Sequence, residues 1–207
     1  MKRYAYERSK RILDVVGAAL LLVLLTPVLG GIAIGIRLRL GSPVLFRQVR
    51  VGRFGEHFEL VKFRTMRPPN VGVVDPETDG QRLVPFGRKL RSSSLDELPT
   101  LVNVLRGNMS LVGPRPLLPE YVPLYSREHA RRLEVPPGLT GWAQVRGRNA
   151  LTWSDRFDLD VWYVDHRSHM LDGRILLETV RSVLNREGIA ADGHVSMPKF
   201  TGYQDGT

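Results

Sequence analysis

The sequence contains no cysteine among its 207 residues, which excludes disulfide bonds and thiolate metal sites. This absence is consistent with a reducing cytoplasm. The five histidines show no metal-ligand spacing, and the chain has neither a Walker phosphate loop nor a GxGxxG motif. It also has no low-complexity tract and no repeat at the period of a solenoid. The sequence therefore does not support a P-loop, dinucleotide-binding or zinc-binding protein.

Acidic residues are fewer than basic residues in this chain. The chain has 21 Asp and Glu against 30 Lys and Arg, which gives a formal net charge of +9. A surplus of this size favours anionic partners, namely nucleic acid, acidic lipid or phosphorylated small molecules. The length is sufficient for one globular domain plus an appendage.

Charge is missing altogether from residues 15–36, "VVGAALLLVLLTPVLGGIAIGI". As a straight helix this stretch would cover about 33 Å, enough to cross the hydrocarbon core of a bilayer. A signal peptide would have a shorter apolar stretch and a small-residue cleavage site, and none is obvious. A buried helix of a soluble protein is disfavoured by the length. The stretch is therefore predicted to be embedded in a membrane.

The pair Thr26-Pro27 lies near the middle of this stretch. Proline removes a backbone donor and clashes with the carbonyl of Val23, so the helix is expected to bend there, and the Thr26 hydroxyl can bond a freed carbonyl. Basic residues flank both ends, and they favour the cytoplasmic side. A helix that enters, bends and returns satisfies both flanks, whereas an ordinary kinked span is the alternative. The flanking cations are Lys2, Arg3, Arg8, Lys10 and Arg11 before the stretch and Arg37, Arg39, Arg47, Arg50 and Arg53 after it.

The rest of the chain mixes short strands with helices. Two β-rich runs at 44–51 and 57–64, separated by "GRFGE", predict a hairpin. The Pro- and Gly-rich residues 67–85 predict a loop. Helices are predicted at 94–106, 119–134, 155–168 and 173–187. The predicted fold class is therefore α+β and mostly helical.

The last helix has the clearest pattern of these. Asp172 is its expected N-cap and Gly188 its expected stop. Its basic side is either solvated or rests on anionic headgroups. The predicted buried stripe consists of Ile175, Leu176, Thr179, Val180, Val183 and Leu184.

The stretch "SSSLDELPTL" places two acids, Asp96 and Glu97, side by side in basic surroundings. One interpretation is a capping box from Ser94 to Glu97 at the start of a helix. The other is chemical, because a carboxylate held among cations can attack phosphorus or hold a metal ion. Taken alone, the pair favours the helix start.

Several cations are candidates for phosphate binding. Arg115 lies in "GPRP", where two prolines fix the backbone and make it a rigid bidentate donor, although a surface-turn arginine is the simpler interpretation. "KFRTM" places two cations on one face of a strand, and "PPGLTGWAQVRGRN" adds two more beside an aromatic residue. The candidates for substrate binding are Lys62, Arg64, Arg115, Arg146 and Arg148.

Taken together, "KRILDVVGAALLLVLLTPVL", "VLFRQVRVGRFGEHFELVKFRTM", "LRSSSLDELPTLVNVLRGNMSLVGPRPLLPEY" and "VPPGLTGWAQVRGRNALTWSDRFDLDVWYV" resemble the bacterial sugar transferases, and specifically the small monotopic phosphoglycosyl transferases. The resemblance implies a re-entrant helix broken at Thr26-Pro27, residues 1–40, and a cytosolic catalytic domain, residues 41–207. It also implies a catalytic dyad, Asp96 and Glu97, that binds Mg²⁺, and a place on the cytoplasmic face of the bacterial inner membrane.

The same resemblance implies the reaction. Asp96 would attack the β-phosphorus of a UDP-sugar, UMP would leave, and polyprenyl (undecaprenyl) phosphate would take the sugar phosphate from the aspartyl intermediate. Anionic membrane lipids are expected partners and nucleic acid is not. The alternatives are a membrane-tethered module that binds polyanions without catalysis and a membrane phosphohydrolase with an aspartyl intermediate. The tail "GIAADGHVSMPKFTGY" resembles relatives that transfer phospho-di-N-acetylbacillosamine, which implies an N-acetylated amino-sugar donor.

Overall fold

The computed structural model describes residues 2–68, 82–147, 151–185 and 199–203. Helix α1 spans Lys2–Leu24 and helix α2 spans Thr26–Arg39, and the two meet at an angle of 63°. The Thr26 hydroxyl donates to the carbonyl of Leu22, one turn earlier, at 2.8 Å. The angle of 63° confirms the predicted bend at Thr26-Pro27. Pro27 lies in the first turn of α2, where its missing N–H is tolerated.

No single helix in the described part of the chain is long and apolar enough to cross a membrane, although α1 and α2 taken together are, on length and composition. One side of the pair packs on the rest of the protein through the buried side chains of Ala18, Ile32 and Ile36. The opposite side is apolar and exposed. Its large exposed residues include Leu13, Val16, Leu20, Val23, Leu24, Ile34 and Leu38.

Helix α1 is attached to the domain through polar contacts as well as apolar ones. The Arg11 guanidinium donates to the carbonyls of Val104 and Leu105 at 2.6 and 2.9 Å, and buried Asp14 accepts from the backbone N–H of Leu111 at 3.0 Å. Contacts therefore cross the predicted boundary between residues 1–40 and 41–207, and that division stays a prediction.

The predicted hairpin is confirmed. Strand β1, Leu45–Val51, pairs antiparallel with β2, His57–Phe63, in a register that sets Phe46 opposite Lys62. Because side chains alternate along each strand, this register places Arg50, Leu60 and Lys62 on the same face of the ribbon.

Helix α3, Pro85–Ser92, leads into the segment that carries Asp96 and Glu97. The predicted single helix 94–106 is divided here into a 3₁₀ helix, Leu95–Thr100, and helix α4, Leu101–Arg106. The predicted capping box is wrong. Ser94 adopts φ +56°, outside the extended region of an N-cap residue, and its side chain makes no cap.

Two buried side chains fix this segment against the edge of β2. The Thr100 hydroxyl donates to the carbonyl of Val61 at 2.9 Å, while the Asn103 side chain accepts from the N–H of Val61 at 3.1 Å and donates to the carbonyl of Glu59 at 2.7 Å. The edge of the hairpin is thus covered by side chains instead of a third strand.

A second, parallel pair of strands brings two loops together. Strand β3, Ser110–Val112, pairs with β4, Gly138–Thr140. The backbones approach so closely that a Cβ on Gly138 would lie 2.1 Å from the backbone nitrogen of Gly113, so only glycine fits there. The "GPRP" loop therefore runs directly beside the start of β4.

The predicted helix at 119–134 is three short helical segments, and the backbone is extended at Tyr125 and Ser126 between the first two. They are a 3₁₀ helix Pro119–Leu124, helix α5 Arg127–Ala130 and a 3₁₀ helix Arg131–Glu134. Helix α6 spans Trp142–Arg146 and helix α7 spans Trp153–His166, which confirms the predicted helix at 155–168.

Helix α8, His169–Asn185, begins earlier than predicted. Asp172 is therefore not its N-cap. It is buried within the first turn, where its carboxylate accepts from the hydroxyls of Tyr6 and Tyr163 and from Lys10. Gly188, the predicted stop, lies outside the described residues.

The predicted buried stripe of α8 is largely wrong. Ile175 is fully buried, but Leu176, Val180 and Leu184 are 38%, 56% and 75% exposed. Periodicity identified the apolar side of the helix but could not show that only one edge of that side is covered by the protein. The α+β, mostly helical class is as predicted, while the parallel pair of β3 and β4 was not predicted from the sequence.

Candidate active site

The two adjacent carboxylates occupy different environments. The Asp96 side chain is buried, with 5% of the residue exposed. The Glu97 carboxylate accepts a hydrogen bond from the Arg115 guanidinium at 2.6 Å. Consecutive residues of a helical turn point in different directions, so the 3₁₀ segment gives each acid its own surroundings.

The electrostatics of the pair follow from this difference. Burial raises the pKa of Asp96 to about 6, and the negative charge of Glu97 adds to the increase. Burial would raise the pKa of Glu97 too, but the charge and hydrogen bond of Arg115 outweigh it and hold that pKa below its usual range. Glu97 is therefore the fully ionised, paired acid, whereas the charge on Asp96 is less completely compensated.

A small cleft lies beside Glu97. Arg50, Lys62, Glu97 and Arg115 provide its charged lining. Burial lowers the pKa of Lys62 and lowers that of Arg50 to about 10, the nearby Arg115 charge adding to the decrease in both. Three basic side chains around the Glu97 carboxylate suit a ligand with several negative charges.

Arg50 is the site residue that sequence reasoning missed. Its Nη2 donates to Gln48, and its buried Nε has no hydrogen-bond partner among the described residues. The signal lay in the hairpin, because pairing β1 with β2 and following the alternation of side chains puts Arg50 on the face of Lys62.

Two of the other predicted cations are not brought to this cleft. Arg64 donates to the carbonyls of Leu40 and Gly41 at 2.6 and 2.7 Å, because β2 ends one residue before it and the alternation no longer applies. Arg146 is exposed and stacks on Trp142, with its guanidinium carbon 4.1 Å from the ring centre. Arg148 lies outside the residues that the structure describes.

The position of Arg115 depends on a buried ion pair behind it. The Arg132 guanidinium donates to Asp160 at 2.8 and 3.1 Å, and its Nη2 also donates to the backbone carbonyl of Arg115 at 2.7 Å. Arg132 and Asp160 are only 3% and 2% exposed. Together with the buried prolines on either side of Arg115, this contact fixes the loop that presents Arg115 to Glu97.

The chain is similar to known proteins over most of its length. A sequence model of the family described as bacterial sugar transferase matches residues 5–186. The chain is 50% identical over 196 residues to the uncharacterized sugar transferase EpsL of Bacillus subtilis, a match that covers 95% of this chain and 97% of that protein. The chain belongs to the bacterial sugar transferase family.

Relatives with named reactions are also similar. The chain is 43% identical over 197 residues to the UDP-glucose:undecaprenyl-phosphate glucose-1-phosphate transferase of Caulobacter vibrioides, covering 90% of this chain and 74% of that protein. It is 36% identical over 196 residues to the undecaprenyl-phosphate galactose phosphotransferase of Salmonella typhimurium, covering 86% of this chain and 41% of that longer protein.

The buried Arg132–Asp160 ion pair gives a prediction in which the effect on protein stability can be separated from the effect on the position of Arg115. Arg132→Met should lower the free energy of unfolding by roughly 3–5 kcal/mol, because it leaves Asp160 buried and unpaired. The double variant Arg132→Met/Asp160→Leu should recover most of that stability in denaturant unfolding. Its turnover should stay reduced by roughly tenfold or more, since the carbonyl of Arg115 still lacks its donor. Full turnover in the double variant would show that Arg132 does not position Arg115.

Proposed function

We propose that the chain transfers a sugar-1-phosphate from a UDP-sugar to polyprenyl (undecaprenyl) phosphate and releases UMP. The observation that carries the proposal is the cleft in which Glu97, adjacent to buried Asp96, faces Arg50, Lys62 and Arg115. The cations match a diphosphate, and the acids supply a nucleophile and a metal ligand. Relatives named as undecaprenyl-phosphate sugar-1-phosphate transferases support the donor and acceptor classes. They also favour an enzyme over a module that only binds polyanions.

In the proposed reaction an Asp96 carboxylate oxygen forms a bond to the β-phosphorus of the donor. The bond from that phosphorus to the bridging oxygen breaks, and UMP leaves with the electron pair. An oxygen of polyprenyl phosphate then attacks the same phosphorus and the Asp96 carboxylate departs. Dividing the transfer allows a soluble donor and a lipid acceptor to use one nucleophile in turn.

Magnesium fits the same residues. Proteins bind Mg²⁺ through one or two carboxylates together with substrate phosphates instead of a cage of protein ligands. The described residues contain no group of three or more His, Asp or Glu that could hold a metal ion alone. Asp96 and Glu97 would hold the ion jointly with the diphosphate. When bound, it would offset negative charge on the phosphates and between the two acids.

Replacing the nucleophile should stop the first step. With donor alone, the wild-type protein should release about one UMP per active site, whereas Asp96→Asn should release none, since an amide keeps the shape but cannot attack. Turnover with both substrates should fall by roughly 10³-fold or more in Asp96→Asn, and Glu97→Gln should be severely impaired. Glu59→Gln, which removes an exposed acid paired with Arg47, is the matched control and should behave as wild type. Near-normal turnover of Asp96→Asn would exclude Asp96 as the nucleophile.

We also propose a monotopic placement on the cytoplasmic face of the bacterial inner membrane, with anionic lipids near the basic flanks. It is supported by the bend at Thr26-Pro27, by the outward apolar side of α1 and α2 and by cations at both ends. Such an arrangement would hold the cleft close to the depth of a lipid-linked phosphate.

The placement can be checked by thiol labelling, because the chain has no native cysteine. Tyr4→Cys and Ser42→Cys put single thiols at exposed positions on the two ends of the helix pair. Both should resist a membrane-impermeant reagent in intact cells and react after permeabilisation, which serves as the control. Labelling of either thiol in intact cells would contradict the re-entrant arrangement.

For the sugar, we propose an N-acetylated amino-sugar donor such as UDP-di-N-acetylbacillosamine, on the resemblance of the tail. The described end of that tail packs on the domain, where Phe200 is buried against Tyr121 and Phe157 and the Tyr203 hydroxyl contacts His129. His194 of the same tail lies outside the described residues. Relatives named for glucose and galactose make those hexoses the competing donors.

Donor competition decides between these sugars. UMP release should be faster from the UDP-diacetamido sugar than from UDP-glucose or UDP-galactose, because a pocket that bonds an acetamido group discriminates strongly against donors without it. The comparison should be made with acceptor present and at equal donor concentrations. A faster reaction with either hexose would contradict the amino-sugar assignment and leave the reaction class intact.

A further inference from the structure

A second cavity, of about 660 Å³, lies between α2 and α3 and reaches Leu95 of the segment that carries the dyad. We call it the α2–α3 groove. Val28, Gly31 and Ile32 of α2 form one wall, and Phe86 and Leu90 of α3 form the other. The walls are apolar, and the exposed side of Val28 connects them to the outer apolar surface of α2.

Two glycines on α2 explain why this groove is open. At Gly35 the helices touch, since a Cβ there would lie 2.8 Å from the ring of Phe86. At Gly31, about one turn earlier, a Cβ would meet nothing within 4 Å. The two helices therefore diverge from the Gly35–Phe86 contact, and the missing side chain of Gly31 widens the gap.

The end of the groove nearest the dyad is polar. Lys89, Ser92 and Ser93 line it together with Leu95. Both serine hydroxyls donate to carbonyls of α3, so Lys89 is the group left to meet an anion. Lys89 is exposed and forms no ion pair within the described part of the chain. A lysine at the end of an apolar groove matches an amphiphile that has a long apolar chain and an anionic head.

The dyad segment contributes a residue to each opening. Leu95 lines the groove and Glu97 lines the cleft, whereas buried Asp96 lies between them in the chain. Two openings beside one short segment suit a soluble donor and a lipid acceptor that never need to occupy the same space.

We propose that the α2–α3 groove holds the first isoprene units of the polyprenyl phosphate acceptor, with the phosphate beside Lys89. The proposal rests on the proposed function and adds the place of the acceptor chain. The cavity is of the size of pockets that enclose ligands, and its wall is the helix whose outer face is expected in the membrane. The isoprenyl chain can thus leave the membrane along α2 without crossing a polar surface.

Filling the groove tests the proposal, and the chain offers a matched control. Gly31→Phe places a ring in the groove, whereas Gly30→Phe adds the same ring at a neighbouring position that has equal space for a Cβ but does not line the groove. Both proteins are assayed in detergent micelles with donor alone and then with polyprenyl phosphate. We expect Gly31→Phe to lower kcat/KM for the acceptor by tenfold or more and to leave the UMP burst with donor alone unchanged. Gly30→Phe should change neither.

The head-group end has its own pair of variants. Lys89→Gln should lower kcat/KM for the acceptor several-fold with an unchanged burst, while Arg88→Gln, which removes an adjacent exposed cation outside the groove, should not. If Gly31→Phe does not fold, Gly31→Ala and Gly31→Leu give the same readout, with kcat/KM falling as the side chain grows.

Equal acceptor kinetics of the Gly30 and Gly31 variants would overturn the proposal. A loss of the burst in parallel with the acceptor step would also overturn it, because the groove would then hold a structural lipid such as a phospholipid acyl chain. The absence of a burst in the wild-type protein would instead contradict the proposed aspartyl intermediate, so the two failures are distinguishable.

Discussion

The backbone bonds that Thr100 and Asn103 make with the edge of β2 determine where the acids lie. These two side chains satisfy both polar groups of Val61 and the carbonyl of Glu59 in a buried setting. An unpaired buried backbone group costs about 1–3 kcal/mol, so the register between the hairpin and the dyad segment is strongly fixed. Because Lys62 follows Val61 directly, the same register brings a cation of the hairpin to the cleft that Glu97 lines.

The unequal environments of the acids follow from that register together with one loop. Arg115 reaches Glu97 because "GPRP" is stiffened by its prolines and fixed at its carbonyl by Arg132, which is itself paired with Asp160. The result is one acid held ionised by a cation and another whose pKa is raised to about 6 by burial. Identical carboxylate chemistry thus acquires two roles from the surroundings alone.

On the outer surface of the protein, apolar and charged regions are separated. Apolar side chains that the domain does not cover occur on α1, α2 and α8. The α2–α3 groove is lined by one of these helices and by Leu95 of the dyad segment, whereas the charged cleft is lined by Glu97 of the same segment. One short segment is thus bordered by an apolar groove and by a charged cleft. This arrangement suits an enzyme that joins a lipid to a water-soluble donor.

The sequence by itself determined the features that depend on residues close together in the chain. Pro27 lacks a backbone donor, so the helix through it breaks and α2 begins beside it. The alternation around "GRFGE" gives a hairpin, and ordered motifs identified the family. It did not determine contacts between distant segments. Ser94 adopts a left-handed conformation and caps nothing, Asp172 is buried under two tyrosines, and Arg64 binds backbone carbonyls. Only tertiary packing decided these, because a side chain's partner depends on which surfaces meet and not on the residues beside it in the chain. Arg50 differs, because the pairing of β1 with β2 already places it on the face of Lys62.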